Sequence, residues 1–410
     1  MRKVSKDIFD KFEYRLFGIV TLITLIGFLA IYSATKTSPA EQGNFLKQIY
    51  SWILSIILLF GVTFIPTRFI KSSTIALYAG SLILLVAVLF FGKIVGGQKC
   101  WIHIAGFSFQ PSEMAKISVV LALAQFLSRP QTDIESFKDI SIALAIGLLP
   151  VFLIMMEPDL GSSFIFFGII LFMLFWNGIS MFGLFFVLSP GVTAISSLFG
   201  TYYLIGTLAI SIAFLALFRK DIFLSGSILA INVSAGFFVD YVYRVLSPHQ
   251  QRRIMTFIDP TSDPLGAGYN SLQAKIAIGS GGFWGKGYLS GRQTQLHFIP
   301  AQWTDFIFCT IGEEFGLVGS VIVLFLFAVF FVRLLKLAQF EKDKYYSLIV
   351  IGSLAVFFVH FIVNVGMAIG IMPVIGIPLP FISYGGSALL SNMLLLGIIL
   401  NIYRNRVARD

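Results

Sequence analysis

Apolar runs of roughly 20 residues recur along this 410-residue chain, and no other feature restricts its fold so strongly. Inside a bilayer every backbone N–H and C=O must find an internal partner, so runs of that length read as transmembrane helices. The stretches fall at 16–34, 50–65, 74–91, 113–127, 140–156, 162–176, 181–199, 203–218, 222–243, 304–332, 347–372 and 384–403. Composition agrees. Apolar residues make up 57% and charged residues 12%, against about 45–50% and 25% in soluble domains. The chain reads as an all-α polytopic membrane protein forming one membrane domain over 1–410. Its first apolar run follows a charged stretch reaching Arg15 and lacks a small-residue cleavage site, so it reads as a retained span.

The net charge of +9 points to the membrane and not to nucleic acid, because the cations cluster in short connections between apolar runs. With the N-terminus inside, Arg68 and Lys71, Arg219 and Lys220, Arg333 and Lys336, and Arg404 and Arg406 all fall on the cytoplasmic side. Both termini are then cytoplasmic and 244–303 lies outside. The segment 129–139 is the weak case, since its acids balance its bases. Cys100 and Cys309 give neither a disulfide framework nor a metal spacing, and His103, His249, His297 and His360 form no ligand cluster. The phosphate-cradling and dinucleotide glycine patterns are missing, which argues against nucleotide hydrolysis.

The external segment 244–303 is long, rich in Gly and Pro, and carries Arg244, Arg252, Arg253, Lys275, Lys286 and Arg292. Segments of that length are functional or disordered. Ile276, Ile278, Phe283, Trp284 and Phe298 read as buried, which argues for order and a binding surface. It runs into Thr304-Asp305-Phe306-Ile307-Phe308, with Glu313 and Glu314 two to three turns deeper. A carboxylate at a membrane edge is costly to keep ionised and reads as functional. The alternative for Asp305 is a helix cap favoured by the dipole. One of Glu313 and Glu314 is expected to pair with a cation or a backbone group. Glu113 and Lys116, three residues apart after Pro111, share a helix face, either as a structural ion pair or as lining of a substrate cavity. Ser383 and Tyr384 follow a proline-broken stretch, 373–380, and read as cavity lining or as a tight turn without ligand.

The order of these motifs resembles one family. Gln110-Pro111-Ser112-Glu113-Met114-Ala115-Lys116, Pro158-Asp159-Leu160-Gly161, Asp259-Pro260 through Ser262-Asp263-Pro264-Leu265-Gly266, Gln273-Ala274-Lys275, Thr304-Asp305 and Pro378-Leu379-Pro380-Phe381-Ile382-Ser383-Tyr384-Gly385-Gly386-Ser387 match it from about Trp101 onward. It is the SEDS family of peptidoglycan glycosyltransferases typified by RodA and FtsW. The wording of Ser290-Gly291-Arg292-Gln293-Thr294-Gln295 and Gly376-Ile377-Pro378 is closer to RodA, and hence to cell elongation and shape. Glu157 departs from a usual Gln, Lys99-Cys100-Trp101 from a usual Arg before Trp, and Gln302-Trp303 from a usual Glu/Gln-His.

The resemblance implies polymerisation of lipid II, with polyprenyl pyrophosphate leaving and the anomeric centre inverting. Asp305 would be the general base. Arg253 and Lys275 would meet pyrophosphate, with Glu113, Lys116, Ser383 and Tyr384 around the substrate. A divalent cation, Mg or Mn, is possible beside them, though one Asp is a weak metal signal. The implied partners are a class B penicillin-binding protein and other elongation-complex proteins in the bacterial cytoplasmic membrane. The runner-up is a flippase for lipid-linked precursors, which would carry its charges near the midplane. Between Glu157 and Pro264 the chain exceeds the family pattern by roughly 40 residues, length for two spans. Residues 181–218 are therefore expected to form an added hairpin on a ten-span core, about twelve spans in all.

Overall fold

The computed structural model describes residues 12–38, 41–95, 98–104, 107–218, 222–245 and 267–406. Its helices are α1 Tyr14–Lys36, α2 Gln42–Phe64, α3 Thr67–Phe91, α4 Pro111–Leu127, α5 Phe137–Met156, α6 Leu160–Trp176, α7 Met181–Leu198, α8 Thr201–Phe218, α9 Ile222–Val245, α10 Ala267–Gly281, α11 Arg292–Gln295, α12 Ile307–Phe340, α13 Lys344–Ala368 and α14 Gly386–Arg406. All but α10 and α11 coincide with the apolar stretches. Seven of the described helices are long and apolar enough to cross a membrane, while α6 to α9 include shorter apolar helices. The protein is a polytopic helical membrane protein.

Burial locates the centre. Along most of its length α13 is enclosed, packing against α4, α6 and α12, while α14 pairs closely with α2. Helix α13 is predominantly apolar all round, as an interior helix requires, with Ser353, His360 and Asn364 among its buried polar residues. A second, smaller core lies to one side, where Ile140 of α5 meets Phe182 and Phe186 of α7, Leu215 of α8 and Ile228 of α9.

Two features were not anticipated. Between α3 and α4 lies a three-stranded antiparallel sheet, β1 Lys93–Val95, β2 Gln98–Ile104 and β3 Phe107–Phe109, paired in the order β1-β2-β3. The β-branched and aromatic residues at Trp101, Ile102 and Phe109 favour strands here, but the segment is too short to show a period. The external segment is also more helical than its Gly and Pro content implied. Its arginines 252 and 253, and Asp259 to Gly266, lie outside the described residues.

The reason given for order in that segment needs correction. Ile276, Phe283, Trp284 and Phe298 are exposed, Trp284 at 77%, and only Ile278 is half-buried. The small residues Ala274 and Ala277 are buried instead, because α10 packs closely on α12. Large apolar groups outside a core suit a bilayer boundary, where Trp and Tyr concentrate.

Candidate active site

The helix α12 is 34 residues long, far more than a bilayer core needs. Counting about 20 residues back from Arg333 reaches Glu313, so Asp305 stands beyond that core, at the end opposite Arg333. The helix breaks near that boundary. Gly316 has φ of 65° and ψ of −156°, and a Cβ there would lie 2.3 Å from the Gly285 nitrogen. Only glycine fits. Backbone groups freed by the break are taken by the external segment: Leu317 N–H donates to Gly282, Lys286 N–H to Glu313 and Gly287 N–H to Glu314. This is irregular backbone at membrane depth whose polar groups are satisfied by protein.

The deeper acids are structural. Glu313 is buried and accepts from the Gln293 and Thr294 amides at 2.8 and 2.9 Å and from the Thr294 hydroxyl at 2.7 Å. These groups belong to the start of α11, where a carboxylate is favoured. Glu314 accepts from the hydroxyl of Ser33 in α1 and from Gln295. Together they moor the external segment to α12 and α1.

Asp305 lies partly exposed in the turn 301–306 just ahead of α12, whose N-cap position falls on Phe306. The turn is anchored from three sides. Asn364 of α13 donates its side-chain amide to the Asp305 carbonyl at 2.8 Å and to the Ile377 carbonyl at 2.7 Å. Ser383 donates its hydroxyl to the Thr304 carbonyl at 2.6 Å and accepts from Leu379 N–H at 2.8 Å. Tyr384 N–H donates to the Trp303 carbonyl at 2.9 Å. Non-glycine residues with φ near 53° and 63°, Ala301 and Phe381, sit on the two anchored strands of chain. Such conformations persist only where their surroundings enforce them.

Ser383 and Tyr384 are thus brought to the turn that carries Asp305, through bonds to its backbone. Ser383 is buried and Tyr384 half-buried. Glu113 and Lys116 form a 2.8 Å ion pair within α4, at 3% and 1% exposure. Ser391 of α14 donates to the other Glu113 oxygen at 2.6 Å, and His360 of α13 lies 3.0 Å from Lys116 Nζ. His360 reaches on to the Pro378 carbonyl at 3.1 Å. His360 belongs to no ligand cluster in the sequence, so it does not stand out as a site residue there. Its signal was a lone imidazole in an otherwise apolar span, opposite a helix bearing a buried lysine.

Lys275 is exposed on α10, and its chain crosses Gly370, just past the end of α13; a Cβ on Gly370 would lie 1.9 Å from Lys275 Cε. One turn along α10, Ile278 and Gly279 begin an apolar groove of about 420 Å³ between α10, α12 and α13, bordered further by Phe308, Leu317 and Leu324. Arg253 lies outside the described residues. Among the described residues no cluster of three or more His, Cys, Asp or Glu is arranged to hold a metal.

Two of the departures fall on one edge of this region. Lys99 Nζ donates to the Leu89 carbonyl at 2.7 Å and the Phe90 carbonyl at 3.2 Å, capping the end of α3. Glu157 is enclosed at the end of α5, and both of its carboxyl oxygens lack a hydrogen-bond partner. Burial, with a smaller contribution from Asp159, pushes its pKa up to about 8. Asp159 itself is satisfied by Ser162 and Gln110.

Comparison with known proteins gives the same answer along nearly the whole chain. The model of the FtsW, RodA and SpoVE cell cycle proteins matches residues 14–198 and 179–408. The peptidoglycan glycosyltransferase RodA of Treponema pallidum is 37% identical, with 95% of this chain and 97% of that protein aligned. The peptidoglycan glycosyltransferase MrdB of Escherichia coli K12 is 35% identical over 94% and 93%. Among solved structures, a chain from a study of polymerization and crosslinking by a peptidoglycan synthase complex superposes with a TM-score of 0.72 at 26% identity, covering 96% and 98%. RodA of Thermus thermophilus superposes at 0.64 with 25% identity over 96% and 97%. This chain belongs to the FtsW, RodA and SpoVE family of membrane cell cycle proteins.

Proposed function

We propose that the chain is a peptidoglycan glycosyltransferase of the RodA type, polymerising lipid II into glycan strands for cell elongation and shape. One observation carries the reading: the carboxylate residue Asp305 stands beyond the membrane core on a turn whose carbonyls at Trp303, Thr304 and Asp305 are held by Tyr384, Ser383 and Asn364. A sugar hydroxyl is a poor nucleophile until a base removes its proton, so one positioned carboxylate is required. In the proposed step the Asp305 carboxylate takes the proton of the attacking hydroxyl. That oxygen forms a bond to the anomeric carbon, and the bond from this carbon to pyrophosphate breaks with its electron pair on oxygen. Attack from the opposite face inverts the centre. Pyrophosphate is already a weak base and needs charge neutralisation more than a general acid. This explains why one Asp suffices where glycosidases use two carboxylates.

Lys275, with Arg253, is the cation assigned to pyrophosphate. The adjoining apolar groove supplies surface for a polyprenyl chain. A divalent cation, Mg or Mn, would supply further charge neutralisation, with the Asp305 carboxylate as the one acidic ligand proposed for it, since the described residues hold no cluster of three or more metal-ligating side chains. Glu113 and Lys116 act in this reading by supporting the anchored backbone. The location proposed is the bacterial cytoplasmic membrane with both termini inside, supported by the cation pattern. A class B penicillin-binding protein is the proposed partner, supported by the likeness to a chain from a synthase complex. Residues 181–218 are proposed as a hairpin added to a ten-span core, a reading supported by the two consecutive apolar helices they form, α7 and α8. The test is purified protein with lipid II, scored for glycan chains on a gel. No chains from well-folded protein, alone and with its transpeptidase, would overturn the reading.

A further inference from the structure

We infer that His360 is a positioning residue for the polymerisation step: a single-tautomer link between the buried Lys116 and the Pro378 carbonyl that fixes the backbone holding Asp305. The inference rests on the function proposed above and adds a residue and a route to it.

Donor counting determines the geometry. A lysine ammonium has three donors and no acceptor, and that of Lys116 pairs with the Glu113 carboxylate at 2.8 Å. The imidazole Nε2 that faces it at 3.0 Å must therefore be the acceptor, and it carries no proton. The ring proton sits on Nδ1, which donates to the Pro378 carbonyl at 3.1 Å. A proline carbonyl in a broken stretch has no helical partner of its own, so this donor answers a need the backbone cannot meet. His360 is 1% exposed, and water does not offer a ready substitute.

From Pro378 the route to Asp305 is short. Leu379 N–H is held by the Ser383 hydroxyl, which itself donates to Thr304, next to Asp305. Ile377, on the other side of Pro378, shares the Asn364 amide with the Asp305 carbonyl. Turning or removing the imidazole thus frees a segment whose two neighbours are bonded to the turn 301–306. A purely space-filling histidine would need neither tautomer nor partner. Here the two nitrogens have opposite duties, and the duties separate experimentally. Asn at 360 can place a donor near the Nδ1 position, whereas Gln more readily places an amide near Nε2 and leaves Pro378 unmet.

The experiment compares His360→Asn, His360→Gln and His360→Phe in the full chain with lipid II. Hydrogen–deuterium exchange of peptides covering 301–306 and 377–385 is measured alongside. The expected result is a fall in kcat of at least about 100-fold in H360F with KM within threefold, on the scale seen when small misplacements spoil a catalytic geometry. H360N should recover to within about tenfold of wild type, and H360Q should stay near H360F. Exchange at Leu379 and Tyr384 should quicken in H360F and H360Q but not in the distant α8. Equal rescue by Asn and Gln, a loss seen mainly in KM, or unchanged exchange in folded H360F would each overturn the inference. The exchange arm needs no turnover, so it stands even if wild-type protein makes no glycan, the outcome that counts against the function itself.

Discussion

The region around Asp305 and the three-helix group α7 to α9 solve the same problem, satisfying polar groups in an apolar setting, in opposite ways. Around Asp305 the chain buries charges, Glu113, Lys116, Glu313 and Glu314, and gives nearly every one a specific partner. It accepts left-handed backbone at Ala301, Gly316 and Phe381. Helices α7 and α8 contain no charged residue at all. They are joined to α9 and to each other by hydroxyls and one amide: Ser189 donates to Asn232 and Asn232 to Ser211, while Ser196 of α7 pairs with Thr207 of α8. Buried ion pairs are a poor means of stabilisation, and in some systems they fix one arrangement. Interhelical Ser, Thr and Asn bonds hold helices together at small individual energies. The first region is therefore built for position and the second for cohesion.

The largest effect that tests this contrast is at the carboxylate itself. Asp305→Asn keeps the shape and the Asn364 contact, which uses the backbone, but cannot take a proton. Polymerisation from lipid II should fall by at least the roughly 10²–10⁴-fold typical of general-base removal, with folding and partner binding unchanged. More than about a tenth of activity left would make Asp305 a positioning residue like its neighbours.

Next comes the ion pair. Glu113→Ala leaves a buried ammonium and Lys116→Ala a buried carboxylate, each costing about 3–5 kcal/mol when its partner is lost. Both should lower thermal stability and polymerisation sharply. Exchanging the two charges should recover part of the loss only, because Ser391 and His360 are placed for the original order. Normal turnover in either single variant would remove the pair from the active architecture.

Glu157 offers a smaller effect with a sign. Its folded pKa of about 8 lies above the unfolded value, so the folded protein binds more protons between roughly pH 4.5 and 8. Its contribution is fully present below pH 4.5 and is lost as the pH rises through 8. Glu157→Gln keeps the shape and stays neutral. The difference in melting temperature between variant and wild type should therefore grow in favour of the variant from pH 5 to pH 8.5. A difference independent of pH would mean that Glu157 is ionised in place or paired.

What the sequence disclosed follows the same division. Helices of α7 and α8 type are legible because a bilayer reads length and apolarity alone. Asp305, Lys275, Ser383 and Tyr384 were legible as motif residues, and Glu113 with Lys116 from their spacing. The partners of these groups were not. The link from Lys116 through His360 to Pro378 joins residues 244 and 18 positions apart in sequence, and no local pattern signals such a closure. The small sheet β1 to β3 and the exposure of Trp284 escaped for a related reason: both depend on what lies alongside, the one on strand pairing and the other on the membrane boundary.

The smallest expected effect completes the comparison from the other side. Asn232 is fully buried in α9 and bridges Ser189 and Ser211 at 3.0 and 3.4 Å. Asn232→Ala removes both bonds at once, yet such bonds in membrane proteins average about 0.6 kcal/mol and reach about 1.7. The Ser hydroxyls can turn back to their own helix carbonyls, as Ser211 already does to Thr207. Unfolding of the variant in detergent should therefore show a loss within that range, and glycan polymerisation should stay within about twofold of wild type. Among the described residues, the groups that join α7–α9 to the rest are chiefly apolar, together with Glu135 accepting from Ser180, and no hydrogen bond among them runs to Asn364, Ser383 or Tyr384. A tenfold loss of polymerisation in a folded Asn232→Ala protein would mean that α7–α9 transmits its packing to the site, and cohesion and position would no longer be separable in this molecule.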